Sequence, residues 1–183
     1  MKIVAIADTH GKHRKIHDLP DGDVLVHAGD FTSFGDGMDD FLVWFTEQPF
    51  EDKVFILGNH ESMGLPYFRR KDLRSMDGVH FIQDDPVTIN GVRFGGPNSS
   101  DTDDVDVLVT HRPPQGILDV TDDETFGSPG VRDTARAVRP DLHIFGHAHR
   151  AHGRTDQDGT IYVNCAVAGK NYDPIHDPTV IDR

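Results

Sequence analysis

The sequence has 183 residues, 36 % of them hydrophobic, and a formal net charge of −13. This length suits one domain, residues 1–183, with a single core, and no apolar run approaches the roughly 18 residues that a membrane span needs. The negative net charge argues against stable nucleic-acid binding, which favours a basic surface. Cys165 is the sole cysteine, which excludes an internal disulfide and favours a location in the cytoplasm.

The first half of the chain predicts buried strands separated by turns and helices. The strands are Ile3–Ala7, Val24–Ala28 and Lys53–Leu57, each a short apolar run without helical period. We expect the first run to be a strand rather than a signal peptide, because a signal peptide has a longer apolar region. A helix is predicted where Met38, Phe41, Leu42 and Phe45 recur at helical spacing, and Asp36 is its expected cap.

The second half predicts more short strands, which together give two stacked sheets. They are Val79–Ile82, Val87–Ile89, Val92–Phe94, Val105–Thr110, Leu142–Phe145, Thr160–Asn164 and Val180–Ile181. Asn90-Gly91 is a strong signal for a two-residue hairpin turn. Helices are predicted over Pro66–Met76 and from Ser128-Pro129 to Val138. Asp119–Gly130 is predicted to be a mobile surface loop, and Thr155–Gly159 a turn.

Five of the predicted strands end in polar side chains of the types that bind metal ions. They are Asp8-Thr-His10, Asp30, Asn59-His60, His111 and His147-Ala-His149. Because α/β sheets place their ligand sites at the carboxyl ends of strands, we expect these residues to converge. Oxygen and imidazole donors without cysteine favour Mn, Fe or Zn over Mg or Ca. Asp30 has two carboxylate oxygens and can therefore bridge two ions.

The remaining histidines and the cysteine have ordinary structural interpretations. His27 and His143 lie inside predicted strands, so we expect them to be buried partners of backbone groups. Cys165 is expected to fill a small space in the core. His13 is the exception, because it closely follows the first motif and can face a substrate.

The motifs, in this order and over nearly the whole chain, resemble those of the calcineurin-like metallophosphoesterases. The segments Leu108–Leu118 and Asn171–Asp182 are similar to the small MPPED-type (metallophosphoesterase domain-containing) branch of that family. The resemblance implies an α/β (α+β) fold, in which a two-sheet mixed β-sandwich is flanked by helices.

The resemblance also implies residue roles. It assigns one metal ion to Asp8, His10, Asp30 and His149, and a second to Asp30, Asn59, His111 and His147. His60 resembles the histidine that stabilises or protonates the leaving oxygen, which is general acid chemistry. Substrate contacts are expected from Asn59, His60, Arg112 and His13. Arg112 stands where relatives often have glycine, and it can either clamp a phosphate or pair with an acidic loop.

The activity implied is phosphoester hydrolysis with two divalent ions, Mn²⁺ or else Fe or Zn, by attack of a metal-bridging hydroxide. Phosphodiesters are the expected substrates, 2′,3′-cyclic nucleotides first, so the partner is a small phosphoester or nucleotide. A phosphomonoesterase is the alternative enzyme, and a non-catalytic scaffold would show eroded ligands. The connection Gly95–Asp104 is shorter than the usual family insertion, which predicts a more open site.

Overall fold

The computed structural model describes residues 1–64, 76–99, 104–122 and 124–183. The strands in this part of the chain are β1 (Lys2–Ile6), β2 (Val24–His27), β3 (Asp52–Phe55), β4 (Val79–Phe81), β5 (Val87–Ile89), β6 (Val92–Gly95), β7 (Val107–Val109), β8 (Val120–Thr121), β9 (Glu124–Thr125), β10 (Leu142–Phe145), β11 (Gly153–Gln157), β12 (Thr160–Asn164) and β13 (Thr179–Asp182). The α-helices are α1 (Met38–Glu47), α2 (Asn59–Gly64) and α3 (Pro129–Val138). None of the described helices is long and apolar enough to span a membrane.

The strands form two mixed sheets. The first has the order β13-β1-β2-β3-β4 and the second the order β11-β12-β10-β7-β6-β5, while β8 and β9 pair separately. The central strands of both sheets are parallel, and β13, β11 and β5 are antiparallel at the edges. Parallel central strands point all their carboxyl ends toward one edge of each sheet.

The main core lies between the two sheets, and helices cover their outer faces. Ile3, Val26 and Val54 of the first sheet belong to the same buried cluster as Val107 and Ile144 of the second. A second buried cluster joins α1 to the outer face of the first sheet, and a third joins α3 to the second sheet. Because the central strands are covered on both faces, every residue of β2 and β10 is buried. The expected helix-flanked, two-sheet sandwich is therefore confirmed.

The two sheets meet where β1 and β12 end. Ala7 pairs with Ala166 in a parallel bridge, in which the amide of Ala7 donates to the carbonyl of Cys165 at 3.0 Å. The amide of Val167 donates in turn to the carbonyl of Ala7 at 3.0 Å. This bridge brings the carboxyl ends of the parallel strands from both sheets to one place.

Two of the turn and cap predictions are confirmed. The amide of Val131 donates to Ser128 Oγ at 3.3 Å, and Pro129 opens α3. The hairpin between β5 and β6 turns at Asn90 and Gly91, with φ of 50° and 81°. Consecutive positive φ angles are the mark of a type I′ turn.

Other local predictions were wrong in whole or in part, and one falls mostly on residues that the structure does not describe. Asp36 does not cap α1, because the N-cap is Gly37 and no side chain caps it. Residues 155–157 of the predicted turn belong to β11, since its antiparallel pairing with β12 runs to Gln157. The predicted loop 119–130 contains the β8–β9 pair and the start of α3. The predicted helix over residues 66–76 lies, except for residue 76, outside the described residues.

Candidate metal centre

Carboxylates and imidazoles from both sheets converge at the edge where the sheets meet. Three sets of donors each lie within 4.8 Å of one another, namely Asp8 with His10 and His149, Asp30 with His111 and His147, and His10 with Asp30 and His60. We call these residues, together with Asn59, the floor of the site. The structure therefore brings together every ligand that the sequence motifs suggested.

The first donor set is centred on Asp8, which is completely buried. His149 Nε2 lies 3.3 Å from Asp8 Oδ1 and 3.2 Å from His10 Nε2. Asp8 Oδ2 accepts a hydrogen bond from the amide of His147 at 2.8 Å, which ties the first motif to the last. One carboxylate oxygen and two imidazole nitrogens thus face a common point.

The second donor set is centred on His111. Its Nε2 lies 3.2 Å from Asp30 Oδ2 and 3.0 Å from Asn59 Oδ1, and its Nδ1 is hydrogen-bonded to the carbonyl of Ala28 at 2.9 Å. A bond from Nδ1 to a carbonyl fixes the ring and leaves Nε2 as the ligating nitrogen, as in many metal sites.

Asp30 joins the donor sets. It belongs to two of them, and its Oδ2 also lies 3.8 Å from His60 Nε2. Its Oδ1 accepts a hydrogen bond from the amide of His60 at 2.9 Å. With both oxygens held, this carboxylate is oriented toward the donors of both sheets.

The backbone of the floor is strained in a way that aims its side chains. Asp8, His10, Asp30 and His147 have positive φ angles of 61°, 44°, 55° and 68°. Non-glycine residues in this region cost free energy and cluster at functional sites. Each sharp turn after a strand points its side chain into the common space rather than along the sheet.

Two motif glycines are required by close approach to the carboxylates. A Cβ on Gly58 would lie 2.0 Å from Asp30 Oδ1, and one on Gly146 would lie 2.3 Å from Asp8 Oδ2. Any larger residue would therefore displace the carboxylate. Steric exclusion explains why glycine precedes Asn59 and His147.

Glu61 holds the two central turns together, a role that the motifs did not assign. The side chain is fully buried and Oε2 accepts from the amides of Gly58 and Asp30, both at 2.9 Å. Oε1 accepts from the amide and the hydroxyl of Thr32 at 2.8 and 2.6 Å. In the sequence, the only sign of this role was the position of Glu61 directly after His60.

His27 and His143 occupy equivalent places beneath the floor. Both are completely buried, but their partners are threonine hydroxyls and not the expected backbone groups. His27 Nε2 is 3.1 Å from Thr9 Oγ1, and His143 Nε2 is 2.8 Å from Thr110 Oγ1. Thr9 and Thr110 directly adjoin floor residues in the sequence, so these contacts join the buried histidines to the floor.

The charges of the floor suit a cation. Burial raises the pKa of Asp30, but the neighbouring His111 and His60 outweigh this and hold the pKa well below its usual range. Burial lowers the pKa of His10 and of His147 to about 4, so both imidazoles are neutral at pH 7. Burial also opposes protonation of His111, but Asp30 raises its pKa to about 9.

The donor chemistry fits divalent metal ions. Asp8 Oδ1 is buried and makes no well-formed hydrogen bond within the described residues. An ionised carboxylate without such a partner is costly to bury unless a cation neutralises it. Metal ions bind ionised carboxylates and neutral imidazoles, and here an ion would displace the proton of His111.

A pocket of about 260 Å³ opens above the floor. Its outer wall consists of residues to which the sequence analysis gave no role in the site, which are Thr121, Asp122, Phe126, Arg150, Lys170 and Tyr172. Asp122 pairs with Arg150 and lies 3.5 Å from Lys170 Nζ. We call Asp122, Arg150, Lys170 and Tyr172, together with Phe34, the rim of the site. The wall includes part of the segment predicted to be a mobile loop.

Of the expected substrate contacts, His13 lies away from the pocket and Arg112 is not among the residues that line it. The His13 ring is buried, with Nε2 3.0 Å from Asp40 Oδ2, and it packs against Trp44 and Phe41 instead of lining the pocket. Arg112 is exposed and is not part of the pocket wall, and its carbonyl accepts a hydrogen bond from Thr110 Oγ1 at 2.8 Å. The structure therefore gives no support to His13 as a substrate contact.

Residues 1–151 match the family model described as calcineurin-like phosphoesterase. The chain belongs to this family. The UPF0046 protein K07C11.7 of Caenorhabditis elegans is 34 % identical over 93 % of this chain and 71 % of its own length. Metallophosphoesterase domain-containing protein 1 of Homo sapiens is 32 % identical over 99 % of this chain and 70 % of its own length. The resemblance drawn from the motifs is thus confirmed.

The fold is shared with more distant structures. The protein TT1561 of Thermus thermophilus is 10 % identical and superposes with a TM-score of 0.62, covering 89 % of this chain and 88 % of its own. The alignment with the human relative has 231 positions, whereas this chain has 183 residues. The human relative therefore has residues within the aligned region that have no counterpart in this chain. Family membership supports a metal-dependent phosphoester hydrolase with a small-molecule phosphoester as substrate.

Proposed function

We propose that this calcineurin-like phosphoesterase is a dinuclear phosphodiesterase. The observation that supports it best is that Asp30 lies among donors of both sheets, with His10 on one side and His111 and His147 on the other. The first ion would be held by Asp8, His10, Asp30 and His149, and the second by Asp30, Asn59, His111 and His147. Mn²⁺ is the proposed ion, with Fe or Zn as alternatives, because the donors mix carboxylate, amide and imidazole.

Two bound ions would supply Lewis acidity, which neutralises phosphate charge and lowers the pKa of a water molecule. The residues of the floor supply positioning and proton transfer. Glu61 and the amide of His60 hold Asp30 in place, and the buried turns keep Asn59 and His111 together. Such preorganised groups need no rearrangement during the reaction.

His60 is the proposed general acid. Its Nε2 lies beside Asp30 on the pocket wall, and its ring is packed between those of His10 and Phe34. A water molecule first gives one proton to solvent, and as the resulting hydroxide attacks phosphorus and the bond to the leaving oxygen breaks, the protonated imidazole gives its proton to that oxygen and later regains one from solvent. An alkoxide leaving group from a sugar needs this proton, because the unprotonated alkoxide is a poor leaving group.

The proposed substrates are small phosphodiesters, with 2′,3′-cyclic nucleotides first. A pocket of about 260 Å³ suits a phosphate and its attached sugar ring, while anything larger must extend over the rim. The resemblance to the MPPED-type branch supports diesters over monoesters.

A paired substrate assay tests the proposal. Bis-p-nitrophenyl phosphate and p-nitrophenyl phosphate are compared in Mn²⁺, Fe²⁺, Zn²⁺ and Mg²⁺, followed by 2′,3′- and 3′,5′-cyclic AMP. We expect diesterase activity to exceed monoesterase activity, with two ions bound per chain. Monoesterase activity far above diesterase activity would favour the phosphomonoesterase alternative, and a single bound ion would contradict the dinuclear centre.

A further inference from the structure

Phe34 occupies a backbone position that aromatic residues rarely take. Phe34 and Gly35 have φ of 53° and 89°, and the amide of Asp36 donates to the carbonyl of Ser33 at 3.1 Å. Two consecutive positive φ angles between bridged residues define a type I′ turn. Its first central position strongly prefers asparagine, aspartate or glycine, so phenylalanine is costly there.

Burial does not explain this choice of residue. The side chain of Phe34 is 64 % exposed, so its ring contributes little to the core. Among the described residues, its ring contact is a stack on the imidazole of His60, with centroids 4.3 Å apart and planes 25° apart. An exposed aromatic ring in a strained turn beside the proposed acid indicates a functional reason.

Tyr172 shows the same combination on the pocket wall. Its φ is 59°, its side chain is 47 % exposed, and it lines the pocket. Its ring makes edge-to-face contacts with His10 and His149, with centroids 4.7 and 5.3 Å apart. Two exposed aromatic rings in left-handed backbone therefore both contact histidines of the floor.

The turn that carries Phe34 is fixed to the floor. The amide of Gly35 donates to Thr32 Oγ1 at 3.0 Å, and Thr32 in turn donates to Glu61. Glu61 also accepts from the amide of Asp30. The same buried carboxylate thus positions both the shared ligand and the turn below the exposed ring.

We propose that Phe34 and Tyr172 form a stacking site for the nucleobase of a nucleotide substrate. This inference rests on the proposed function and names the substrate group that lies outside the small pocket. Bases stack on aromatic side chains with little dependence on base identity, because every base has a π-face. The site would therefore select nucleotides over phosphoesters without a base, and would discriminate little between one base and another.

Binding of a matched pair of probes tests the inference. AMP and ribose 5-phosphate, which differ by the base, are titrated calorimetrically into the Mn²⁺-loaded protein. We expect AMP to bind about tenfold more tightly, the order of magnitude of one base–aromatic stack. Phe34→Asn and Tyr172→Leu should each move this ratio toward one, whereas Phe34→Tyr and Tyr172→Phe should largely keep it.

Phe34→Asn also separates a binding role from a structural one. Because asparagine suits the first central position of a type I′ turn, this variant should unfold at a higher temperature while losing preference for AMP. Val43→Ala, at an exposed apolar residue of α1, is the control and should keep the ratio of the unaltered protein. Equal affinity for AMP and ribose 5-phosphate would overturn the inference, as would a less stable Phe34→Asn with an unaltered ratio.

The test also distinguishes this inference from the proposed function. A protein that hydrolyses bis-p-nitrophenyl phosphate but binds both probes equally keeps the proposed function and contradicts the stacking site. A protein that prefers AMP but hydrolyses no phosphoester in any metal contradicts the proposed function and supports the stacking site.

Discussion

The floor and the rim of the site are built by different physical means. Asp8, Asp30 and His111 of the floor are nearly inaccessible and held by buried hydrogen bonds. On the rim, Phe34 and Tyr172 are exposed, and Asp122, Arg150 and Lys170 interact mainly through surface ion pairs. Buried, fully positioned groups suit chemistry, whereas exposed groups adapt to a substrate at little cost in stability. The difference suggests that the floor sets the reaction and the rim sets the choice of substrate.

The largest expected effect is at His60. Replacement by alanine should lower turnover of 2′,3′-cyclic AMP by a factor of about 10²–10⁴, because its alkoxide leaving oxygen loses its acid, whereas bis-p-nitrophenyl phosphate, whose leaving group departs without a proton, should be affected much less. Metal content, measured by mass spectrometry, should not change. His80→Ala is the matched control, since His80 pairs with Asp52 far along the first sheet. If His60→Ala instead bound one ion fewer, His60 would be a metal ligand, as its place in the donor set with His10 and Asp30 would allow.

Glu61→Gln tests whether the floor depends on its buried support. The carboxylate accepts four hydrogen bonds from donors on both sides, and a glutamine amide would turn its own donors toward two of them. We expect Mn²⁺ affinity to fall by about 10–100-fold, as for other groups that orient ligands. Metal titration measures this, with the surface residue Glu47→Gln as control. An unaltered affinity would mean that Glu61 only stabilises the fold.

The histidine beneath the second sheet should make folding acid-sensitive. Burial lowers the pKa of His143 to about 3, against about 6.5 for an unfolded histidine. Between these values the unfolded chain binds a proton that the folded chain does not. The free energy of unfolding should therefore fall by about 1.4 kcal/mol per pH unit below pH 6.5 on account of this residue.

Urea unfolding of the chelator-treated protein between pH 7 and 5 measures that slope without a contribution from metal release. His143→Gln should reduce the slope, and His17→Gln, at an exposed histidine, should not. An equal slope in His143→Gln and the unaltered protein would contradict the proposed cause.

The smallest expected effect is on the rim. Asp122→Asn would leave Arg150 and Lys170 without the carboxylate that now pairs with them. Exposed ion pairs are worth about 0.2–1 kcal/mol, so KM for an anionic substrate should fall by at most about fivefold, and less at high salt. Asp156→Asn, in the exposed pair with Arg154, is the control. A change in turnover number as large as that of His60→Ala would show that the floor and the rim do not act separately.

Much of the floor was predictable because strand and turn chemistry are local. A short apolar run that ends in glycine and a metal-binding side chain indicates a buried strand and a ligand at its end. Since parallel strands share an edge, the ligands from Asp8 to His149 could be grouped before their distances were known. The strand bounds differ by one or two residues in most cases, as Ile3–Ala7 against Lys2–Ile6 illustrates.

The rim was not predictable, because its residues come from turns whose conformations depend on distant contacts. In the sequence, Phe34 has no feature that separates it from other loop residues. In the structure, Thr32 and Glu61 hold its turn beside His60. Likewise, the sequence predicted a mobile loop over residues 119–130. In the structure, Asp119 is buried and its side chain accepts a hydrogen bond from the amide of Gly116 at 2.8 Å. His13 shows the converse error, since nearness in sequence to a motif did not bring it to the pocket.

By itself, the sequence predicted two stacked sheets and the polar residues that follow their strands, and its motifs resembled those of the family. The predicted strands and the polar residues at their ends follow from apolar patterning and side-chain chemistry, both of which act within a few residues. Only the tertiary structure decided that Glu61 supports the floor, that threonine hydroxyls contact Nε2 of His27 and of His143, and that Phe34 and Tyr172 stand exposed at its edge. Such relations join residues far apart in the chain, where packing and the satisfaction of buried polar groups outweigh local preference.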